Sequence, residues 1–163
     1  MRTIVRNGIG FDSHRFAAGR KLVLGGVTIE HEAGLEGHSD ADVLTHAVID
    51  ALFGAVADGD IGRHFPDTDP AWKDASSIKM LASTVSRIEA MRARIISVDS
   101  TVIAEAPKIA PYVDKIRRTL AMTLALPPER VSVKAKTAEK MGAIGRQEGM
   151  AVMAIATVEQ HEG

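Results

Sequence analysis

The chain has 163 residues, with 20 Lys and Arg against 21 Asp and Glu, no cysteine, 45% hydrophobic residues and only 4% aromatic ones. That length suits one domain with its own core, taken as 1–163. The missing cysteines exclude disulfides, zinc–thiolate and iron–sulfur sites and a thiol nucleophile, and the balanced charge argues against a nucleic-acid or anionic-membrane surface.

Residues 3–11 are rich in Ile, Val and Gly and predict a strand. A turn at Ala18-Gly19 leads to a second β-like run over 22–29, with a bulge or bend at Gly25-Gly26, and 31–37 reads as a loop. Ser39 or Asp40 is placed to cap a helix that runs through Val43, Leu44, Ala47, Val48, Ala51, Leu52 and Ala55. The Gly-, Pro- and Asp-rich stretch 57–71 has no helical period. Asp74 or Ser76 opens a second amphipathic helix carrying Ile78, Met80, Leu81, Val85, Ile88 and Met91. A strand over 95–104, a helix over about 111–126 ended by Pro127-Pro128, and strands over 131–135 and 150–158 complete the chain. Strands alternating with helices predict an α/β sandwich with helices on one face of the sheet; their order alone does not fix its topology, which is expected to be mixed. No apolar run reaches membrane-spanning length and the N-terminal segment lacks a signal-peptide core, so a cytoplasmic protein is expected.

With cysteine absent, any metal must sit on His and carboxylate. Asp12 and His14, two apart at the end of the first strand, project from one face about 7 Å apart and can take two corners of a tetrahedral site, or form a mere surface pair. On a helical wheel His46 lies off the apolar arc, with Asp42 and Asp50 about 40° to either side. That is a solvated face or a metal-binding imidazole oriented by carboxylates. His38 and Ser39 offer a donor and an exposed hydroxyl beside helix amides that favour a phosphate. One Asp and two His leave the open fourth position of a catalytic zinc site. The Asp-rich loop GDIGRHFPDTDP reads by composition as a connector, or as a binder of sugar hydroxyls. Lys108 and the run from Lys134 to Lys140 suit phosphates or an exposed strand end. GxxxxGK[ST], HExxH and GxSxG are absent, and His31, His64 and His161 read as ordinary loop or surface residues.

The blocks GFDSHRF, LVLGGVTI, GLEGHSDADVLTHAVIDALFGA, GDIGRHFPDTDP, AEAPKIAP, VKAKTAEKMG and GRQEGMAV, in this order from about Arg6 to Val158, resemble the 2-C-methyl-D-erythritol 2,4-cyclodiphosphate synthases. The resemblance implies a homotrimer with active sites between subunits. It also implies conversion of 4-diphosphocytidyl-2-C-methyl-D-erythritol 2-phosphate to the cyclic 2,4-diphosphate with release of CMP, in non-mevalonate isoprenoid synthesis. It assigns Asp12, His14 and His46 to a zinc ion, and Glu139 to a magnesium or manganese ion bridging the diphosphate. His38 and Thr137 become transition-state stabilisers and Ser39 a phosphate contact. Asp60, Ile61, Gly62, Phe65, Pro66, Asp67, Thr68 and Asp69 become the methylerythritol loop, displacing the connector reading. The cytidine pocket falls to the segment from Ala104 through Pro107 and Lys108 to Ala110, with Lys136. Ala143 and Arg146 fall among substrate-binding positions; Arg146 and Glu148 belong to an axial channel that can bind isoprenoid diphosphates. Ala143 and Met153 depart there from the aromatic and the Glu of some members, which puts channel regulation in question but not turnover. The rival expectations are a zinc phosphodiesterase with a water nucleophile and a non-catalytic trimeric isoprenoid-binding scaffold.

Overall fold

The computed structural model describes residues 2–162. Its main sheet has five strands in the order β4-β1-β7-β5-β6. These are β1 (Arg2–Ala18), β4 (Ala33–Leu35), β5 (Ala93–Ile103), β6 (Val131–Lys136) and β7 (Gly149–Glu162). β2 (Leu22–Leu24) and β3 (Val27–Ile29) form a separate hairpin. β1 and β7 pair antiparallel from Arg2↔Glu162 to Arg15↔Gly149, β5 runs antiparallel to β7, and β6 parallel to β5. The sheet is therefore mixed, a topology that the order of the elements alone does not fix.

The helices α1 (Val43–Ala55), α3 (Ser77–Ala90) and α4 (Val113–Thr123) supply buried residues to the same core as the sheet. Along β1, Gly8, Gly10, Asp12 and His14 point to the helix side, and Val5, Ile9 and Phe11 to the other. Glycine is required at two of these places. A Cβ on Gly8 falls 1.9 Å from the Ala51 carbonyl oxygen, and one on Gly10 falls 1.9 Å from that of Ala47. The backbone of α1 thus lies directly on β1, closer than any side chain allows, and this close approach brings His46 beside Asp12. Leu44, Leu52 and Phe53 of α1 are fully buried, each worth about 2 kcal/mol of transfer free energy. The opposite face of the sheet is bare: Val5 and Ile9 are 67% exposed, Phe11 57% and Ile155 50%.

Several expectations are corrected. The first strand runs to Ala18, so Asp12 and His14 stand inside it rather than at its end. Of the bulge or bend expected at Gly25-Gly26, the chain takes the bend: at φ 56° and 74° the two glycines make the two-residue turn of the β2–β3 hairpin. The loop at 31–37 contains β4, which pairs with the end of β1. The cap of α1 is Asp42, whose carboxylate accepts from the Thr45 amide, so Ser39 and Asp40 lie outside the helix. The stretch 57–71 holds a one-turn helix α2 (Ile61–His64) and a 3₁₀ turn at Pro70–Trp72, both too short to show a period. The helix expected over 111–126 is a 3₁₀ turn at Ala110–Tyr112 followed by α4. A further one-turn helix, α5 (Gly142–Gly145), precedes β7. Among the described residues no helix is long and apolar enough to cross a membrane.

Candidate metal centre and substrate cavities

Asp12, His14 and His46 converge. His14 Nε2 lies 2.8 Å and His46 Nδ1 3.2 Å from Asp12 Oδ2, and one ligand atom from each residue falls within 4.8 Å of the others. Each imidazole is oriented from behind. His14 Nδ1 donates to the Glu36 carbonyl at 2.6 Å. His46 Nε2 lies 2.8 Å from Ser77 Oγ and 3.1 Å from Ser39 Oγ. The Ser77 hydroxyl gives its own proton to Asp40 Oδ1, so it accepts from His46 Nε2–H. The outer nitrogens therefore keep their protons, and the inner ones, which hydrogen-bond to Asp12 when no cation is present, are the ones free to give a lone pair to a metal. A carboxylate and two imidazoles so arranged fit a divalent ion of the zinc type with an open position.

Burial of the Asp12 carboxyl works to raise its pKa, but hydrogen bonds from His14 and His46 outweigh this and bring it down to about 2. For His14 burial acts to lower the pKa, and the hydrogen bond to Asp12 overcomes it and holds the imidazole above its ordinary value. Without a metal, the triad thus shares a proton that an incoming cation must displace.

The triad opens into a cavity of about 350 Å³ lined also by Gly37, His38, Ser39, Ile61, Gly62, Phe65, Pro66, Asp67, Thr68, Trp72 and Met80. Arg20 donates to the Gly37 and Ser39 carbonyls at 2.8 and 2.7 Å and so fixes the turn that carries His38. His38 Nε2 donates to the Asp69 carbonyl at 3.1 Å. Asp60 and Asp69 are not among the lining residues: they cap α2 and the 3₁₀ turn at Pro70–Trp72. Ser39 is buried, not exposed.

A second cavity, of about 180 Å³, is lined by Ala104, Glu105, Pro107, Lys108, Ile109, Ala110, Lys136 and Thr137, with Val102 and Ala135 at its base. Glu105 Oε1 accepts from the Ala138 and Lys140 amides and joins the segment after β5 to the one after β6. The exposed Glu139 is hydrogen-bonded to Thr137 Oγ1 through its amide at 3.2 Å. The two cavities share no residue. Asp12, Val152, Val102 and Ala135 stand in one row of the sheet, so β5 and β6, which line the second cavity, lie two and three strands away, about 10 and 14 Å at ~4.8 Å per strand. Ala143 and Arg146, in and just after α5, line neither cavity; Arg146 Nε donates to Glu148 at 2.8 Å.

Two carboxylates expected beside His46 act elsewhere. Asp42 is fully buried and accepts from the amides of Gly25, Gly26 and Thr45 and from the Thr45 hydroxyl. The phosphate expected at that helix end therefore meets a carboxylate. Asp50 accepts from the Ile61 amide at 2.7 Å, tying α1 to the cavity wall. His46 itself is only 8% exposed, not on a solvated face. Ser77, Asp40 and Arg20 were not legible as site residues, since a lone Ser, Asp or Arg carries no spacing signal. His64 is no ordinary loop residue: its ring stacks on Phe53 with centroids 4.1 Å apart.

A family model described as the YgbB family matches residues 5–159. The 2-C-methyl-D-erythritol 2,4-cyclodiphosphate synthase of Syntrophus aciditrophicus (strain SB) is 52% identical over 158 residues, 97% of this chain and 99% of its own. That of Laribacter hongkongensis (strain HLHK9) is 56% identical over 155 residues, 95% of this chain and 96% of its own. Among solved structures, IspF of Plasmodium falciparum in complex with CDP superposes with TM-score 0.84 at 30% identity, covering 97% of each chain. The bifunctional IspDF of Campylobacter jejuni superposes with TM-score 0.94 at 39% identity; 99% of this chain is matched, but only 44% of that one.

Proposed function

Because the chain belongs to the YgbB family, we propose how its residues divide the work of the family's reaction. That reaction is a metal-dependent intramolecular phosphoryl transfer of the non-mevalonate isoprenoid pathway. It converts 4-diphosphocytidyl-2-C-methyl-D-erythritol 2-phosphate to 2-C-methyl-D-erythritol 2,4-cyclodiphosphate and releases CMP. An oxygen of the 2-phosphate bonds to the β-phosphorus as the bond from that phosphorus to the CMP oxygen breaks. The substrate brings its own nucleophile, so the protein's task is alignment and charge neutralisation.

The observation that carries this reading is the open triad of Asp12, His14 and His46, with both imidazoles already oriented, facing a cavity wide enough for a polyol phosphate. The donor set supports zinc there, and Glu139 supports a magnesium or manganese ion. When bound, the two ions neutralise charge developing on the phosphoryl oxygens. His38 and Thr137 donate to those oxygens, and Ser39 contacts phosphate. Ile61, Gly62, Phe65, Pro66, Asp67 and Thr68 hold the methylerythritol, with Asp60 and Asp69 setting the turns of that loop. Ala104, Pro107, Lys108 and Lys136 bind the cytidine, for which the CDP complex of the Plasmodium relative gives support. The enzyme works in the cytoplasm as a single-domain chain over 1–163.

The partition of these residues between two cavities about 10–14 Å apart, together with a bare apolar sheet face, supports a homotrimer. In it the second cavity of one subunit completes the first of its neighbour. Arg146 and Glu148, with Ala143, fall to the axial channel, where an isoprenoid diphosphate is the candidate ligand.

Incubation with the diphosphocytidyl substrate, with and without chelator, tests the reading. Cyclic diphosphate and CMP should appear only with metal. Solvent ¹⁸O in the phosphate products, with no cyclic diphosphate, supports the rival phosphodiesterase. His46→Ala should lose both bound zinc and at least about 10³-fold of turnover; full turnover in a zinc-free variant refutes the assignment.

A further inference from the structure

The wall of the metal cavity contributed by Ile61, Gly62 and Phe65 belongs to a one-turn helix and its flank. A single turn fixes too few hydrogen bonds to hold itself. What holds it lies behind, out of reach of the cavity. Asp58, just before α2, takes Arg87 Nε and, at 3.1 Å, Arg87 Nη2 from α3. His64, the last residue of α2, donates through Nε2 to the Asp58 carbonyl at 2.8 Å, with Asp58 Oδ2 at 3.4 Å. The His64 ring stacks on Phe53 of α1, inclined by 24°. The His64 and Asp58 side chains are 15% and 11% exposed, so both are enclosed, and neither lines the cavity. The two ends of α2 are thus closed on each other and riveted to α1 through Phe53 and to α3 through Arg87.

We infer that Asp58, His64 and Arg87 are positioning residues for the substrate: they pre-order the α2 wall so that it meets the bound polyol phosphate without a folding step. This rests on the substrate assignment above. A wall that touches the polyol equally before and during phosphoryl transfer contributes uniform binding, so loosening it raises KM and leaves kcat. Ordering the loop in advance removes a cost otherwise taken from affinity.

The test compares Arg87→Met, Asp58→Asn and Arg87→Lys in the intact, metal-loaded enzyme. Arg94→Met serves as control, because it breaks only the exposed pair with Glu159. Expected are a KM for the diphosphocytidyl substrate raised about tenfold in Arg87→Met and Asp58→Asn, kcat within about twofold, unchanged zinc content, partial recovery in Arg87→Lys, and no change in Arg94→Met. Hydrogen exchange of the amides over 59–68 should quicken in the same variants. If Asp58→Asn does not fold, Arg87→Met decides, its side chain being half exposed. An unchanged KM, or a raised KM without faster exchange, overturns the inference while leaving wild-type turnover, and so the function, standing. A wild type that releases no CMP from this substrate instead overturns the function and the inference with it.

Discussion

At the scale of single residues, the metal centre is governed by what stands behind its ligands. Ser77 lines neither of the two cavities but fixes which nitrogen of His46 faces Asp12, because its own proton is committed to Asp40. Ser77→Ala leaves Ser39, at 3.1 Å, as the remaining acceptor for that N–H. Zinc affinity should fall about 10- to 100-fold, measured by competition with a chromophoric chelator; unchanged affinity means that Ser39 suffices. Proton competition follows from the shifted groups. His14 is held above its ordinary value of 6.5 by Asp12, so the metal-free triad binds its proton from a higher pH than a free imidazole. Zinc affinity should therefore begin to fall above pH 6.5 as pH is lowered, by about tenfold per unit once His14 is protonated. In the metal-free protein the two shifts act on stability in opposite directions. The raised His14 favours the fold below pH 6.5, and that contribution is lost as pH rises through its folded pKa. The lowered Asp12 favours the fold above its ordinary 3.8, and that contribution is lost as pH falls toward about 2. Denaturant titrations of metal-free protein across these windows check both signs.

At the scale of elements, the site depends on how closely α1 lies on β1. Gly10→Ala sets a methyl 1.9 Å from the Ala47 carbonyl oxygen and 2.8 Å from the Ala51 amide nitrogen, both backbone. The helix must shift, costing about 3 kcal/mol or more and moving His46 away from Asp12. Both the unfolding midpoint and zinc binding should drop together. A midpoint that falls with zinc binding intact indicates that the strand bends instead. Asp42→Ala leaves three amides without their carboxylate, at the cap of α1 and in the β2–β3 turn. It should cost about 3 kcal/mol in denaturant unfolding. What was legible in the sequence follows the same division. The long amphipathic helices and the order of strands could be read because their periods repeat over many residues. Of the two readings of the wheel around His46, the solvated face fails because it assumes that a polar face meets water. In the fold that face is covered by Ser77 of α3 and by the Asp12 strand, and Asp42 and Asp50 bond to backbone amides of other segments. One-turn helices and the two-residue hairpin left no period to find, and the ligands Asp12 and His14 became a metal site only through a helix 34 residues along the chain.

At the scale of the whole molecule, the proposed division of the reaction centre between two cavities over different strands of one sheet makes a simple demand on assembly. Asp12→Asn and Glu139→Gln chains should each be inactive alone, since one loses a ligand proposed for the first cavity and the other a ligand proposed in the segment beside the second. Mixed and reassembled, they should regain a fraction of wild-type turnover, because some interfaces pair an intact Asp12 with an intact Glu139. Continued inactivity at all ratios argues that each site is built from one subunit. Replacing Ile9 with Lys on the bare face should lower the mass seen in sedimentation velocity and abolish turnover together. The pairing of Arg2 with Glu162 has a different kind of consequence. It puts the two ends of the described chain side by side at one corner of the sheet, with Asp12 about 34 Å away along the strand at ~3.4 Å per residue. A second module carried at either end is thus tethered at the corner remote from the metal ligands, where it can be added or removed without obstructing the chemistry.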